Sequence, residues 1–378
     1  MAEPFKNFLN TALVRQAAAH LSRVWPGFDK AHFIRLANAG LDNLELKARA
    51  MQICDALQAT LPADFAQAAD VIEAALAPAP ADDEPAVQAV TVDDGLRGWV
   101  LWPVGEFVAR RGLAHPERAL ACLHAVTQRF TAEFALRPFI VAHPELSFAT
   151  LARWCQDDSA HVRRLASEGS RPRLPWGLRL QALVANPAPT LPLLRALQDD
   201  PSPYVRRSVA NHLNDIAKDH PCLVCEWVET HLPGASMERK ALLRHASRTL
   251  IKQGHPRMLQ AWGLGAPLRG QATLKREPAS LHLGESFTFT LTLVSRASHA
   301  QTLAIDYVVH HVKADGSTSP KVFKGWALEL PGRGELTLVK RHSMRVITTR
   351  RYHAGRHGLS VQVNGCEVAR TDFDLLPA

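Results

Sequence analysis

The 378-residue chain is short of the features that mark several large protein classes. Six cysteines are too few to staple a chain of this size with disulfides, which points to reduced thiols in a cytoplasm. No stretch approaches the roughly 20 consecutive apolar residues that a bilayer span needs. The opening MAEPFKNFLNTALV carries an early acid and no basic run ahead of an apolar block, so no secretory signal is expected. There is no GxSxG, Walker loop or HExxH, and hydrolases of those types, ATPases and zinc proteases therefore lack support. Cys222-Leu-Val-Cys225 near His220 has the first half of a zinc pattern, but a second ligand pair at finger spacing is missing, and buried thiols are expected. What is present is an ordinary globular composition: 47% hydrophobic and 21% charged, with 44 Lys and Arg against 36 Asp and Glu. A net charge of +8 suits a polyanionic partner such as nucleic acid, and a solvated basic surface explains it equally well.

The length favours two domains, and the hydrophobic period divides the chain accordingly. Up to about residue 265 apolar residues recur at three- and four-residue intervals, as in Val14, Ala17, Ala18 and Leu21 or Leu120, Leu123, Val126 and Phe130. Pro, Gly or Asp clusters interrupt this pattern regularly, which predicts short paired helices. The Pro-, Ala- and acid-rich stretch Ala77–Asp94 reads as a connector. After Gly270 the period becomes two. Phe287-Thr-Phe289-Thr-Leu291-Thr-Leu293 alternates as a strand with one buried face does, and further runs cover 303–312, 321–328, 335–342, 359–363 and 368–375. Turn signals at Asp315-Gly316, Pro331-Gly332 and Asn364-Gly365 separate them. Six or seven such strands predict a β-sandwich, Ig-like in architecture only, because Cys…Trp…Cys is absent. The domains are placed at 1–267 and 268–378.

The helical half repeats itself. Asp157-Asp158…Val162-Arg163-Arg164 overlays Asp199-Asp200…Val205-Arg206-Arg207, with Val162 and Val205 43 apart, and Glu133…Arg137-Pro138 overlays Glu168…Arg171-Pro172, with Glu133 and Glu168 35 apart. A third echo relates His220-Pro221 and Trp227 to His255-Pro256 and Trp262, also at 35. An Asp ahead of a Val-Arg-Arg helix start looks like a HEAT-type repeat, in which Arg163 and Arg206 are expected to tie repeats together. In this register Glu168 falls opposite Asn211, Asp215 lies one turn beyond, and Glu133 holds the matching place one repeat earlier. Stacked helix pairs would bring the three acids to one place, where a solenoid needs none for stability. Asp215 has a blander reading as an ion-pair partner of Arg179 or Lys218, and Trp176 has one as a buried inter-repeat anchor. Acids ringed by Arg suit a cation better than a phosphate. A base methylated on a ring nitrogen is such a cation, and its loss leaves an oxocarbenium-like sugar that carboxylates stabilise.

At these residues the chain resembles the AlkC branch of the AlkC/AlkD superfamily of HEAT-like DNA alkylation repair glycosylases. The likeness rests on Val126-Thr-Gln-Arg-Phe130, Thr131-Ala-Glu133-Phe-Ala-Leu-Arg137-Pro138-Phe139, the run from His161 to Gly177, and Val205 to Asp215. Thr348-Thr349-Arg350-Arg351-Tyr352…Gly355-Arg356-His357 with Val363-Asn364-Gly365 resembles the Ig-like C-terminal domain that a subset of the branch carries. The resemblance implies a HEAT-like solenoid followed by an Ig-like sandwich. It implies excision of cationic methylated bases from duplex DNA, chiefly 3-methyladenine with 3-methylcytosine as a second candidate, without base flipping and without a metal or organic cofactor. By motif position it assigns Glu133, Glu168 and Asp215 to the lesion and Trp176 to the deoxyribose.

Arg171 is expected on a phosphate. Arg350, Arg351, His353 and Arg356, with His357, form a basic turn expected on the backbone or in a minor groove; residues 271–378 hold 14 Lys and Arg against 9 Asp and Glu. The partner is then alkylated duplex DNA and no membrane, the protein a cytoplasmic monomer associated with the nucleoid when bound. Two other classes compete: a protein-binding scaffold, for which three acids and a Trp at one place have no purpose, and a DNA-binding protein that leaves lesions intact.

Overall fold

The computed structural model describes residues 4–80, 94–264, 266–347 and 350–377. Most of the expected connector, and Thr348 and Thr349 of the basic motif, therefore lie outside the described residues. Among the described residues sixteen α-helices run from Thr11–Val24 to Pro256–Ala261, and eight strands follow. Among the described residues no helix is long and apolar enough to cross a membrane. The chain divides into two compact units, Met1–Asp219 with Ala235–Ala246, and His220–Gly234 with Ser247–Ala378, so three short helices belong with the sandwich.

In the first unit the helices Leu101–Arg111, Glu133–Ala142, Ala160–Gly169, Pro203–Ile216 and Met237–Ala246 each pack on the next, forming one row of the repeat stack. Val162, Leu165 and Ala166 of one member and Val205, Val209 and Leu213 of another are buried, the i, i+3, i+4 stripe that such packing requires. At Gly169 a Cβ would collide with Leu136, so this glycine lets the end of one helix close on its neighbour. The two Val-Arg-Arg starts are built alike. Asp157 Oδ1 and Asp200 Oδ1 each accept an N–H, from Ser159 and Ser202, at 2.9 Å. Arg163 and Arg206 each donate to two carbonyls ahead of their own helix, at Asp157 and Asp158 and at Asp200 and Pro201.

The sandwich in the second unit comprises β1 (Gly270–Glu277), β2 (Ser280–His282), β3 (Ser286–Ser295), β4 (Gln301–Val312), β5 (Thr318–Leu330), β6 (Glu335–Ser343), β7 (Gly355–Val363) and β8 (Cys366–Leu376). One sheet has the order β1-β3-β6 and the other β2-β8-β7-β4-β5. Phe287, Phe289, Leu291 and Leu293 of β3 are fully buried and pack with Tyr307, Val361 and Phe373 between the sheets. Asn364 and Gly365 close the β7–β8 hairpin with φ of 49° and 77°, the left-handed pair that a two-residue turn demands. The six cysteines are free thiols.

Candidate active site

Glu133 opens its helix, Glu168 lies in the last turn of Ala160–Gly169, and Asp215 lies in the last turn of Pro203–Ile216. These are three consecutive members of the row, and one chain of ion pairs joins their carboxylates. Arg164 Nη1 donates to Glu133 Oε2 at 2.7 Å while its Nη2 stands 3.6 Å from Glu168 Oε1. Arg171 Nη1 donates to Glu168 Oε1 at 2.6 Å, and its Nε and Nη2 both reach Asp215 Oδ2 at 2.8 Å. Lys218 Nζ closes the series on Asp215 Oδ1 at 2.9 Å. Thr131 Oγ1 donates to Glu133, and Ser208 Oγ donates to Glu168 Oε2 at 2.6 Å. Tyr204 supports Arg164 from below, its ring centre 4.8 Å from the guanidinium carbon.

Burial alone would push the Glu168 carboxyl up, but Arg164, Arg171 and the Ser208 hydroxyl outweigh it and hold it below the ordinary carboxylate range. It is therefore a permanent anion at neutral pH. Burial keeps the Tyr204 phenol protonated, moving it upward. The acids are 9%, 6% and 2% exposed for Glu133, Glu168 and Asp215, so Glu133 presents the most open edge and Asp215 the least.

The loop after Ala160–Gly169 carries Trp176. It is 73% exposed, which removes the reading of a buried inter-repeat anchor. Its backbone sits at φ +64°, a left-handed conformation that a bulky L-residue rarely adopts and that marks a site where surroundings dictate the geometry. Arg137, fully buried, donates Nη1 to Gly169 O at 2.8 Å and Nε to Leu178 O.

Other expected positions need correction. Arg171 is not available for a phosphate: it is buried, and its donors are spent on Glu168 and Asp215. Of the two repeat arginines, Arg163 does bridge repeats, its fork on Asp200 at 2.7 and 3.0 Å, whereas Arg206 bonds the loop before its own helix. Asp215 takes Lys218 but not Arg179 as a partner, and takes Arg171 as well.

In the sandwich Arg350, Arg351 and His353 line a hollow of about 450 Å³ with His311, Lys313, Asp315 and Ser319. Arg356 belongs to β7, is exposed, and stands 3.3 Å from Asp372. His357 leaves the basic turn altogether: it is fully buried, 2.9 Å from His353 O through Nε2. Cys222 is exposed and Cys225 buried, and among the described residues no group of three His, Cys, Asp or Glu could hold a metal ion.

Sequence reasoning missed Arg164, Ser208, Tyr204 and Arg137 as parts of the site. Arg164 had a visible signal, four residues ahead of Glu168 and so on the same helix face, and Arg137 had one as the repeat counterpart of Arg171.

The residues 271–377 match the family described as the C-terminal Ig-like domain of uncharacterised protein YhaZ. Over 376 residues the chain is 35% identical to the uncharacterized protein YhaZ of Bacillus subtilis, covering 98% of this chain and 99% of that one. Among solved structures it resembles the Pseudomonas fluorescens alkylpurine DNA glycosylase AlkC bound to DNA containing an abasic site analog. That likeness has a TM-score of 0.88 at 35% identity, with 99% of this chain and all of the other covered. With its helical repeat region, its Ig-like sandwich and this match along its whole length, the chain belongs to the AlkC branch of the HEAT-like DNA alkylation repair glycosylases.

Proposed function

We propose that the protein is a DNA glycosylase that removes cationic N-methylated bases, 3-methyladenine first and 3-methylcytosine second, from duplex DNA. The observation that carries this reading is the joining of Glu133, Glu168 and Asp215, from three helices, in one arginine-bridged group. A base methylated on a ring nitrogen carries a positive charge. When its bond to C1′ breaks, the electron pair passes to the ring and neutralises it, so the leaving group needs no protonation. The positive charge moves to the sugar, and there a preorganised set of carboxylates lowers the barrier. Water then adds at C1′ and gives up a proton to a carboxylate, which leaves an abasic site and the free base.

The arginines have an indirect part. Arg164 and Arg171 hold Glu168 ionised and the three acids at fixed spacing, which a mobile carboxylate could not manage without reorganisation. Trp176, exposed on its loop, offers its face to the deoxyribose and the sugar cation. Because the acids act at the sugar, the base stays in the stack, unlike the usual strategy of base-processing enzymes. Arg350, Arg351, His353 and Arg356 hold backbone phosphates from the sandwich. The protein acts as a monomer in the cytoplasm, on the nucleoid. The test is release of free 3-methyladenine from N-methylated duplex DNA by the purified wild-type protein. Release above the spontaneous rate supports the reading; none would favour a scaffold or a binding protein without chemistry.

A further inference from the structure

We propose that Arg137 is the positioning residue for Trp176, tying down the two ends of the loop that presents it. The proposal rests on the reading of Trp176 as the aromatic at the deoxyribose. Arg137 is the largest fully buried side chain among the described residues, and it has no carboxylate within ion-pair distance there. A cation in that position is costly, and an apolar residue of similar volume would fill the space more cheaply. What only an arginine supplies is its fork. Nη1 takes the carbonyl of Gly169, where the helix ends and the loop begins, and Nε takes that of Leu178, two residues past Trp176.

The first part of the loop is held by other contacts, Arg171 on Glu168 and Asp215 and Arg173 on Asp219 at 2.7 Å, but the stretch around Trp176 has little else to fix it. Its own backbone bonds are long, Gly177 N–H to Leu174 O at 3.3 Å and Leu180 N–H to Pro172 O at 3.2 Å. Trp176 is too exposed to be anchored by its own packing, and its left-handed backbone must be imposed from outside. Gly177 lies against the Arg137 stem: a Cβ there would come within 3.3 Å of Arg137 Cδ and 3.1 Å of Leu174 Cδ2. Burial, with Arg171 nearby, lowers Arg137 to about 10, which still leaves it charged at neutral pH and its donors strong.

The test compares wild type, Arg137→Gln, Arg137→Lys, Trp176→Ala and the double variant Arg137→Gln/Trp176→Ala. Hydrogen exchange at the Gly177 and Leu180 amides is expected to rise about tenfold or more in Arg137→Gln, which loses both charged hydrogen bonds of the fork, while exchange in Ala160–Gly169 stays as in wild type. Arg137→Lys, which keeps the charge and loses the fork, loosens the same amides; full protection there would mean that charge alone suffices and would overturn the account. Single-turnover excision by Arg137→Gln falls to the level of Trp176→Ala, and the double variant falls no further. A double variant that loses the product of both effects would show that Arg137 does not act through Trp176. Should Arg137→Gln fail to fold, Gly177→Val approaches the same contact from the loop side, with the same exchange readout and the same two outcomes. If wild type releases no base, the proposed function fails, while exchange at Gly177 and Leu180 still decides the role of Arg137.

Discussion

Replacing Glu168 by Gln keeps the shape of the side chain and removes its charge. Two consequences can be sized. The carboxylate now takes Arg171 at 2.6 Å, Ser208 at 2.6 Å and Arg164 at 3.6 Å, all buried or nearly so. Each arginine keeps a second acid, Glu133 or Asp215, so neither is stranded. The stability loss should then fall at the low end for a broken buried pair, about 3 kcal/mol. For a unit of this size that lowers the melting temperature by roughly 6–12 °C. For catalysis, a unit charge about 5 Å from the sugar cation at an effective dielectric constant of about 20 contributes about 3 kcal/mol. That is roughly two hundredfold in rate, and two less-compensated guanidinium charges make it a lower bound. The assay is single-turnover release of 3-methyladenine at a temperature well below both melting transitions, with binding to an abasic-analogue duplex measured beside it. Excision within about threefold of wild type, with the duplex still bound, would refute the electrostatic role of Glu168.

Further outcomes follow from other parts of the molecule. Trp176→Asn should gain about 1 kcal/mol of stability, because Asn tolerates the left-handed backbone that Trp pays for, yet lose about tenfold in excision; thermal melts and the release assay check the two halves. In the sandwich, burial pushes His311 down to about 3 and His342 to about 4. Both fold neutral, so the stability they contribute is complete above the ordinary histidine range near pH 6.5 and is lost as pH falls toward those values. Each costs about 1.4 kcal/mol per pH unit, which denaturant melts of the chain and of His342→Gln between neutral and mildly acidic pH will reveal. Changing Arg350, Arg351 and Arg356 together to Ala should weaken duplex binding and make the salt slope shallower by up to about 2.7, measured by titration at several salt concentrations.

Much of this architecture was legible because the patterns are local. The alternation Phe287-Thr-Phe289-Thr-Leu291 can only bury one face as a strand, and all three apolar residues are indeed at the centre of the sandwich. The repeat spacing of 43 put Val162 over Val205 and so placed Glu168 and Asp215 on neighbouring helices. Illegible were β1, whose Gln-Ala-Thr-Leu-Lys-Arg is only half buried along its length, and β2, three residues held through β8. Side-chain allegiance was equally hidden. Register gives the place of a Cα, but Arg171 could reach out to a phosphate or in to two acids, and only packing chose the second. His357 looked basic and exposed beside Arg356; as the next residue on a strand it points the other way and is buried. Arg137 stood out only as the repeat counterpart of Arg171; its role gave no sign, because its partners are carbonyls, which carry no sequence signature.

The central claim is that the three acids recognise a positively charged sugar. The most direct measurement is the affinity for two duplexes that differ only at one position, a cationic pyrrolidine analogue of the deoxyribose or the neutral tetrahydrofuran ring. The account predicts that wild type binds the cationic duplex at least about tenfold more tightly, and that Glu168→Gln and Asp215→Asn erase the preference. Equal affinity of the wild-type protein for the two duplexes would contradict it.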